Sequence, residues 1–169
     1  MGGPRQILTH LFYHSICGDL QLMAEQEQLE ITVSLTNQKV QFSGVSRSNP
    51  AITIDYTPPL GDGQGYMPLE LLLISLAACA GATVAALLRR MRKNVAGLQV
   101  KAAGLRRDQH PTSFTKIFLE FVLTSSDAEA ADLQKAIQLS EEAYCPVWAM
   151  LKNNVEVNPE YKIIAPNGQ

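Results

Sequence analysis

The sequence predicts an α+β domain in which helices lie against one face of a largely antiparallel sheet, the first helix central and buried. Three observations carry this. Leu71 to Leu88 is a run of 18 residues without a charge. The segments on both sides of it alternate apolar and polar residues with a period of two. A second, amphipathic helical stretch then precedes one more alternating segment, so that runs of strands and helices are segregated rather than strictly alternating. With 169 residues the chain is expected to form one domain with a core of useful size.

Residues 1–28 read as an N-terminal arm, with short helices over Gln6–Tyr13 and Leu20–Gln28 and an incidental thiol, Cys17, in a turn beside Gly18-Asp19. From Leu29 the period changes to two: Leu29, Ile31, Val33 and Leu35 alternate with Glu30, Thr32, Ser34 and Thr36, which predicts a half-buried strand. Asn37-Gln38 is a turn, Lys39–Val45 a second strand and Ala51–Tyr56 a third. Pro58-Pro59 and Gly61-Asp62-Gly63-Gln64-Gly65 make a loop that no sheet can continue, expected to be a flexible approach to the long helix. It has no Gly-Lys-Ser/Thr and does not read as a phosphate cradle.

Pro68 to Lys93 reads as one long helix. Pro68 suits its first position, Glu70 complements the dipole in the first turn, and Arg89, Arg90, Arg92 and Lys93 mark its carbonyl end. A helix apolar on every face must be buried all round. Its 18 uncharged residues only reach the lower limit of a membrane span, alanine is a weak membrane residue, and the flanks read as soluble strands, so a core helix is expected. One small sheet cannot cover so apolar a rod, and a second subunit is expected to cover the rest.

Gly97–Arg107 and Ser113–Thr124 are two further strands joined by Asp108-Gln109-His110-Pro111-Thr112, where His110 reads as a solvated turn residue. Both faces of the second strand carry apolar residues, Ile117, Leu119, Phe121 and Leu123 on one and Phe114, Phe118 and Val122 on the other. That predicts a central strand covered twice. Ser126-Asp127-Ala128-Glu129 fits a capping box, and the helix it opens places Leu133, Ala136, Ile137 and Tyr144 on one face. That helix ends at Cys145-Pro146, a further helical turn comes next, Val155–Ile164 is the last strand, and residues 165–169 form a tail.

The net charge of −2, with basic residues grouped only at Arg89–Lys93 and Arg106-Arg107, gives no footprint for nucleic acid. Three cysteines do not make a disulfide scaffold. Met1-Gly2-Gly3-Pro4 lacks the basic start and apolar run of a cleavable signal, so the cytoplasm, where thiols stay reduced unless catalytic or sensing, is the expected compartment.

Ser75, Cys79 and Thr83, spaced by four, draw a mildly polar line along the apolar helix with a thiol in its middle. Cys79 on its own reads equally as a small buried hydrophobe. Cys145, if Pro146 starts a new helical turn, is an N-cap, where amide donors and the dipole favour a thiolate. The two thiols are 66 residues apart and fit no Cys-x-x-Cys pattern, and no His-rich ligand set accompanies them, so no metal is expected.

Pro68-Leu-Glu-Leu-Leu-Leu-Ile-Ser-Leu-Ala-Ala-Cys79 and Glu142-Ala-Tyr-Cys145-Pro146-Val resemble the two signature segments of the OsmC/Ohr family. The resemblance runs from Leu29 to Ile164, includes His110-Pro-Thr-Ser-Phe-Thr, makes 29–164 an OsmC-like domain and leaves 1–28 outside it. It implies an intertwined homodimer with two long helices per chain, the central ones packed inside, and active sites at the subunit interface. It further implies that Cys79 is the peroxidatic cysteine of an organic hydroperoxide reductase and Cys145 its resolving partner, with an external dithiol as reductant and no cofactor. The sulfur chemistry fits the oxidation ladder, and an apolar lining suits alkyl hydroperoxides.

Two departures stand out. Peroxidases of this family carry a glutamate directly after the proline, holding an arginine that stabilises the thiolate; here that place is Leu69 and the acid is Glu70. Glu70 is about half a helical turn out of phase with Cys79 and is expected to serve the helix start instead. Lys39 and Arg47 are the cations of the early strands, and neither sits in the family motif. The pattern resembles the YhfA-like branch of the family. A non-catalytic protein binding an apolar ligand at the dimer interface is the alternative reading, and a redox sensor a third.

Overall fold

The computed structural model describes residues 28–166; the N-terminal arm with Cys17 lies outside them. The described elements are β1 (Thr32–Leu35), β2 (Phe42–Val45), β3 (Ile52–Ile54), α1 (Pro68–Arg90), β4 (Gly97–Arg106), β5 (Phe114–Thr124), α2 (Ala130–Leu139), a π-helical turn (Ser140–Tyr144), α3 (Pro146–Leu151) and β6 (Glu156–Ile164). The predicted element order stands.

The strands form two three-stranded sheets, β1-β2-β3 and β4-β5-β6, where the sequence suggested a single one. The first is antiparallel throughout, its β1–β2 turn held by Asn37 Oδ1, which accepts from the amides of Lys39 and Gln41 at 2.9 and 3.1 Å. In the second, β4 and β5 are antiparallel but β6 runs parallel to β5. The reason is the connection: α2 and α3 carry the chain back across the sheet, and a helical crossover returns a strand in its original direction.

β5 is central, as predicted, and of the three apolar residues expected on its second face Phe114 and Val122 are buried while Phe118 is not. Ile117, Leu119, Phe121 and Leu123 are fully buried beneath the helices. Burying each of these side chains is worth about 1.5–3 kcal/mol. On the opposite face Glu120 takes Lys101 at 3.1 Å and Lys162 at 2.6 Å from the flanking strands, and Phe118 is more than a third exposed. A row of ion pairs across three strands makes the part of that face around Glu120 a polar surface.

α1 packs on β4, α2 and α3. Only one stripe of it is buried, Leu76, Ala80, Gly81, Val84 and Leu88, so the expectation of burial all round fails within one chain. Ile74, Ser75, Ala78, Ala82 and Ala86 face outward. β1 departs in the same sense: predicted as half-buried, it is exposed along its length. By length and composition α1 is apolar enough to cross a membrane, but its buried stripe belongs to the same core as β5. It is the core helix of this fold.

The helix ends are built from side chains the sequence marked. Glu70 Oε2 accepts the Met67 amide at 2.8 Å, the structural task expected of it. At the other end Lys93 pairs with Asp132 at 2.8 Å and the Asn94 amide donates to Asp127 at 2.7 Å, tying the exit of α1 to the start of α2. The N-cap of α2 is Glu129 rather than Ser126, its amide donating to Asp132 Oδ2 at 2.9 Å. Ser125, not Ser126, turns the chain there by accepting the Ala128 amide at 3.0 Å. Leu133, Ala136 and Ile137 are buried as predicted, but Tyr144 is 53% exposed. The π turn adds a residue to the helical repeat and rotates Tyr144 off the core face.

The Pro-Gly loop before α1 is anchored rather than flexible. The Asp55 carboxylate, fully buried, accepts amides from Tyr56 (2.8 Å), Asp62 (3.0 Å) and Gln64 (3.1 Å). Burial alone would raise its pKa, but the amide donors outweigh it and hold the carboxyl below the ordinary 3.8.

Candidate functional site

α1 delivers Cys79 three turns from its start, and the break between the π turn and α3 delivers Cys145. Their sulfurs lie 3.0 Å apart, with the Cys145 thiol donating to Cys79 Sγ. Both are free thiols, Cys79 partly exposed and Cys145 buried. A disulfide needs about 2.05 Å between sulfurs, so a short side-chain movement would join them. The two thiols that 66 residues separate in sequence are therefore brought together, while His110 stays exposed in its turn.

Cys145 is fixed by backbone on both sides. Its amide donates to the Ser140 carbonyl at 2.9 Å, closing the π turn, and its sulfur accepts the Trp148 amide at 3.4 Å as the N-cap of α3. The N-cap position was legible in the sequence, but the expected thiolate is not the outcome. Burial pushes Cys145 up to about 11, its hydrogen bond to Cys79 adds to the rise, and the Trp148 amide only partly offsets them. A sulfur at 2% exposure loses more in leaving water than one amide returns.

Thr83, next on the polar line, donates its hydroxyl to the Cys79 carbonyl at 2.8 Å, a bond within the helix that leaves the sulfur alone. Ser75, one turn earlier, is exposed. Of the early cations, Lys39 is held by Asp62 at 2.5 Å and by the Gly61 carbonyl at 3.4 Å. Among the described residues no group of three or more His, Cys, Asp or Glu could hold a metal ion.

Ser140 and Trp148 were not singled out in the sequence, and only Trp148 has a signal there. Trp148 stands three residues after a residue followed by proline, the position an N-cap side chain reaches. Ser140 lies in a π turn, which no periodicity announces.

A groove of about 580 Å³ runs along α1 and β4, lined by Ile74, Ala78, Gly81, Ala82, Val100 and others, with Arg89 at one end. Cys79 is not part of it. Residues advance about 100° each around a helix, so Cys79 faces nearly opposite to Gly81. The groove takes in Ile74, Ala78 and Ala82 of the outward-facing strip of α1, and Cys79 borders that strip on its other side.

Residues 61–160 match the family described as OsmC-like protein. Protein YhfA of Escherichia coli (strain K12) is 33% identical over 124 residues, which cover 73% of this chain and 90% of that protein. The crystal structure of a hypothetical protein from Aquifex aeolicus VF5 superposes with a TM-score of 0.74 at 28% identity, covering 84% of this chain and all of that one. An organic hydroperoxide resistance protein from Elizabethkingia anophelis shares the fold at a TM-score of 0.67 and 15% identity, over 84% of this chain and 100% of its own. With the two signature segments meeting at the thiol pair, the chain belongs to the OsmC/Ohr family and stands with its YhfA-like branch.

Proposed function

We propose that the protein is a thiol-dependent peroxidase that reduces organic hydroperoxides, with Cys79 as peroxidatic and Cys145 as resolving cysteine. The observation that carries this is the 3.0 Å sulfur–sulfur approach combined with unequal burial: the partly exposed thiol can meet a substrate, and the buried one waits behind it. The Cys79 thiolate attacks the O–O bond. Its sulfur is oxidised by two electrons to sulfenic acid, and the alkoxide takes up a proton and leaves as the alcohol. Cys145 then displaces hydroxide from that sulfenic acid, its own proton leaves with the hydroxide as water, and the disulfide forms. An external dithiol supplies two electrons and two protons to restore the pair.

The outward strip of α1 and the exposed apolar residues of β1 support a homodimer in which a second copy closes the open side of Cys79 into an apolar cleft. The name of the Elizabethkingia protein supplies the class of substrate to assay, and a thiol pair kept reduced is in keeping with the cytoplasm. The deciding experiment is dithiol-dependent consumption of cumene hydroperoxide or a fatty-acid hydroperoxide. Wild type is expected to turn it over, and Cys79→Ser to be inactive. Equal inactivity of the two overturns the peroxidase.

The apolar groove without a cysteine favours a second reading, a protein that binds an apolar ligand. Displacement of a fluorescent fatty acid by such a ligand, unaffected by Cys79→Ser, would support it.

A further inference from the structure

We propose that the Cys145 thiol, before it ever resolves a sulfenic acid, is the hydrogen-bond donor that stabilises the Cys79 thiolate. The inference deepens the peroxidase reading and rests on it for its biological meaning, but not for its chemistry.

The starting point is that Cys145 is the protic side chain in contact with Cys79 Sγ. Cys145 Sγ accepts the Trp148 amide at 3.4 Å, which occupies its lone-pair side, and donates its proton to Cys79 Sγ at 3.0 Å. The chain Trp148 N–H, Cys145 S–H, Cys79 S is thus polarised toward the exposed sulfur. When Cys79 ionises, a neutral hydrogen bond becomes a charge-assisted one, the stronger kind, without any movement of the donor.

Other polar and charged groups of the described residues are engaged elsewhere or face solvent. The Thr83 hydroxyl is spent on the Cys79 carbonyl, Glu70 on the Met67 amide, and Lys39 on Asp62. On the elements packed around the pair, Glu142 accepts from Gln138 at 2.9 Å, Glu141 lines a small pocket with Gln134 and Tyr161, and Tyr144 faces solvent. Lys152 reaches the Glu141 carbonyl at 3.3 Å, Asp132 holds Lys93, and Arg89 and Arg90 are exposed at the far end of α1.

Unequal burial argues for which sulfur takes the charge: the buried member is the costlier one to ionise. Burial and the bond to Cys79 both keep Cys145 protonated, in keeping with this assignment. The proton held there is the one that leaves as water when the disulfide closes.

The test is the rate at which iodoacetamide alkylates Cys79, read by mass spectrometry on the Cys79 peptide, in the full chain with Cys17→Ser. Cys145→Ser keeps a donor and Cys145→Ala removes it. Cys145→Thr and Cys145→Val repeat the comparison at matched shape should the small side chains destabilise the fold. At pH 7 the donor-less variants are expected to react about tenfold slower or more, the scale of a hydrogen bond to a charged group, and the hydroxyl variants within about twofold of the parent. At about pH 11 the rates should converge, because loss of a donor alters ionisation and not access. Simple opening of the site would instead speed alkylation. Donor-less variants as fast as the parent, or hydroxyl variants as slow as the donor-less ones, overturn the inference. No peroxide enters this measurement, so it succeeds or fails independently of the hydroperoxide assay.

Discussion

Gly81 on α1 and Val100 on β4 are in such close register that a Cβ built on the glycine would stand 3.0 Å from Val100 Cγ2. This contact sets how deeply the central helix lies on the sheet, and therefore how far Cys79, two residues earlier, stands from the α2–α3 corner. Gly81→Leu is expected to destabilise the protein by about 1–3 kcal/mol through overpacking. It should also slow disulfide formation, because the thiols separate when the helix lifts. Urea unfolding and thiol titration after mild oxidation check the two effects.

Oxidation of the wild-type protein with one equivalent of cumene hydroperoxide is expected to remove two free thiols and to leave Cys79 and Cys145 in one disulfide-linked peptide pair. Cys145→Ser should stop at a Cys79 sulfenic acid trapped by dimedone and progress to sulfinic acid with excess oxidant. Peptide mass spectrometry distinguishes these products, and a disulfide through a different pairing would contradict the assigned roles.

Asp55 governs the loop that leads into α1. Asp55→Asn turns one acceptor oxygen into a donor facing the amides of Asp62 and Gln64, or of Tyr56, and is expected to lower Tm by about 4 °C or more. Because the folded carboxyl is held below its ordinary 3.8, its contribution is fully present above that pH. It is lost as the pH falls below 3.8 toward the folded value, since the unfolded chain takes up the proton first. Thermal melts across that acid window should therefore fall less steeply in Asp55→Asn than in wild type.

If a second copy covers the outward strip of α1, wild type should elute with the mass of two 18.5 kDa chains. Ala78→Glu, which places a charge on that strip without touching the buried stripe, should shift the equilibrium toward one chain. Light scattering coupled to size exclusion reads the outcome, and an unshifted dimer would move the interface elsewhere.

Much of the fold was legible because its signals are local. The order of elements, the core face of β5 and the ends of α1 are set by periodicity, proline placement and charge at helix termini. The features that local signals missed share one pattern. The second face of β5 looked like core throughout because Phe114, Phe118 and Val122 are apolar; Phe114 and Val122 are buried, but the cross-strand lysines around Glu120 make the middle of that face charged. Tyr144 looked like core because a π turn is invisible to a period of 3.6. The loop at Gly61–Gly65 looked flexible because its anchor, Asp55, is a single carboxylate outside the glycine run.

The sequence by itself determined that a thiol would sit on a long apolar helix, that a second would cap another, and that their flanking residues match one family. Only the tertiary structure decided that these sulfurs meet at 3.0 Å and that one is buried, which pushes its thiol up, while the other is partly exposed. The physical reason is that contact and desolvation depend on which surfaces face each other in space, and residues 66 apart in the chain carry no local trace of that.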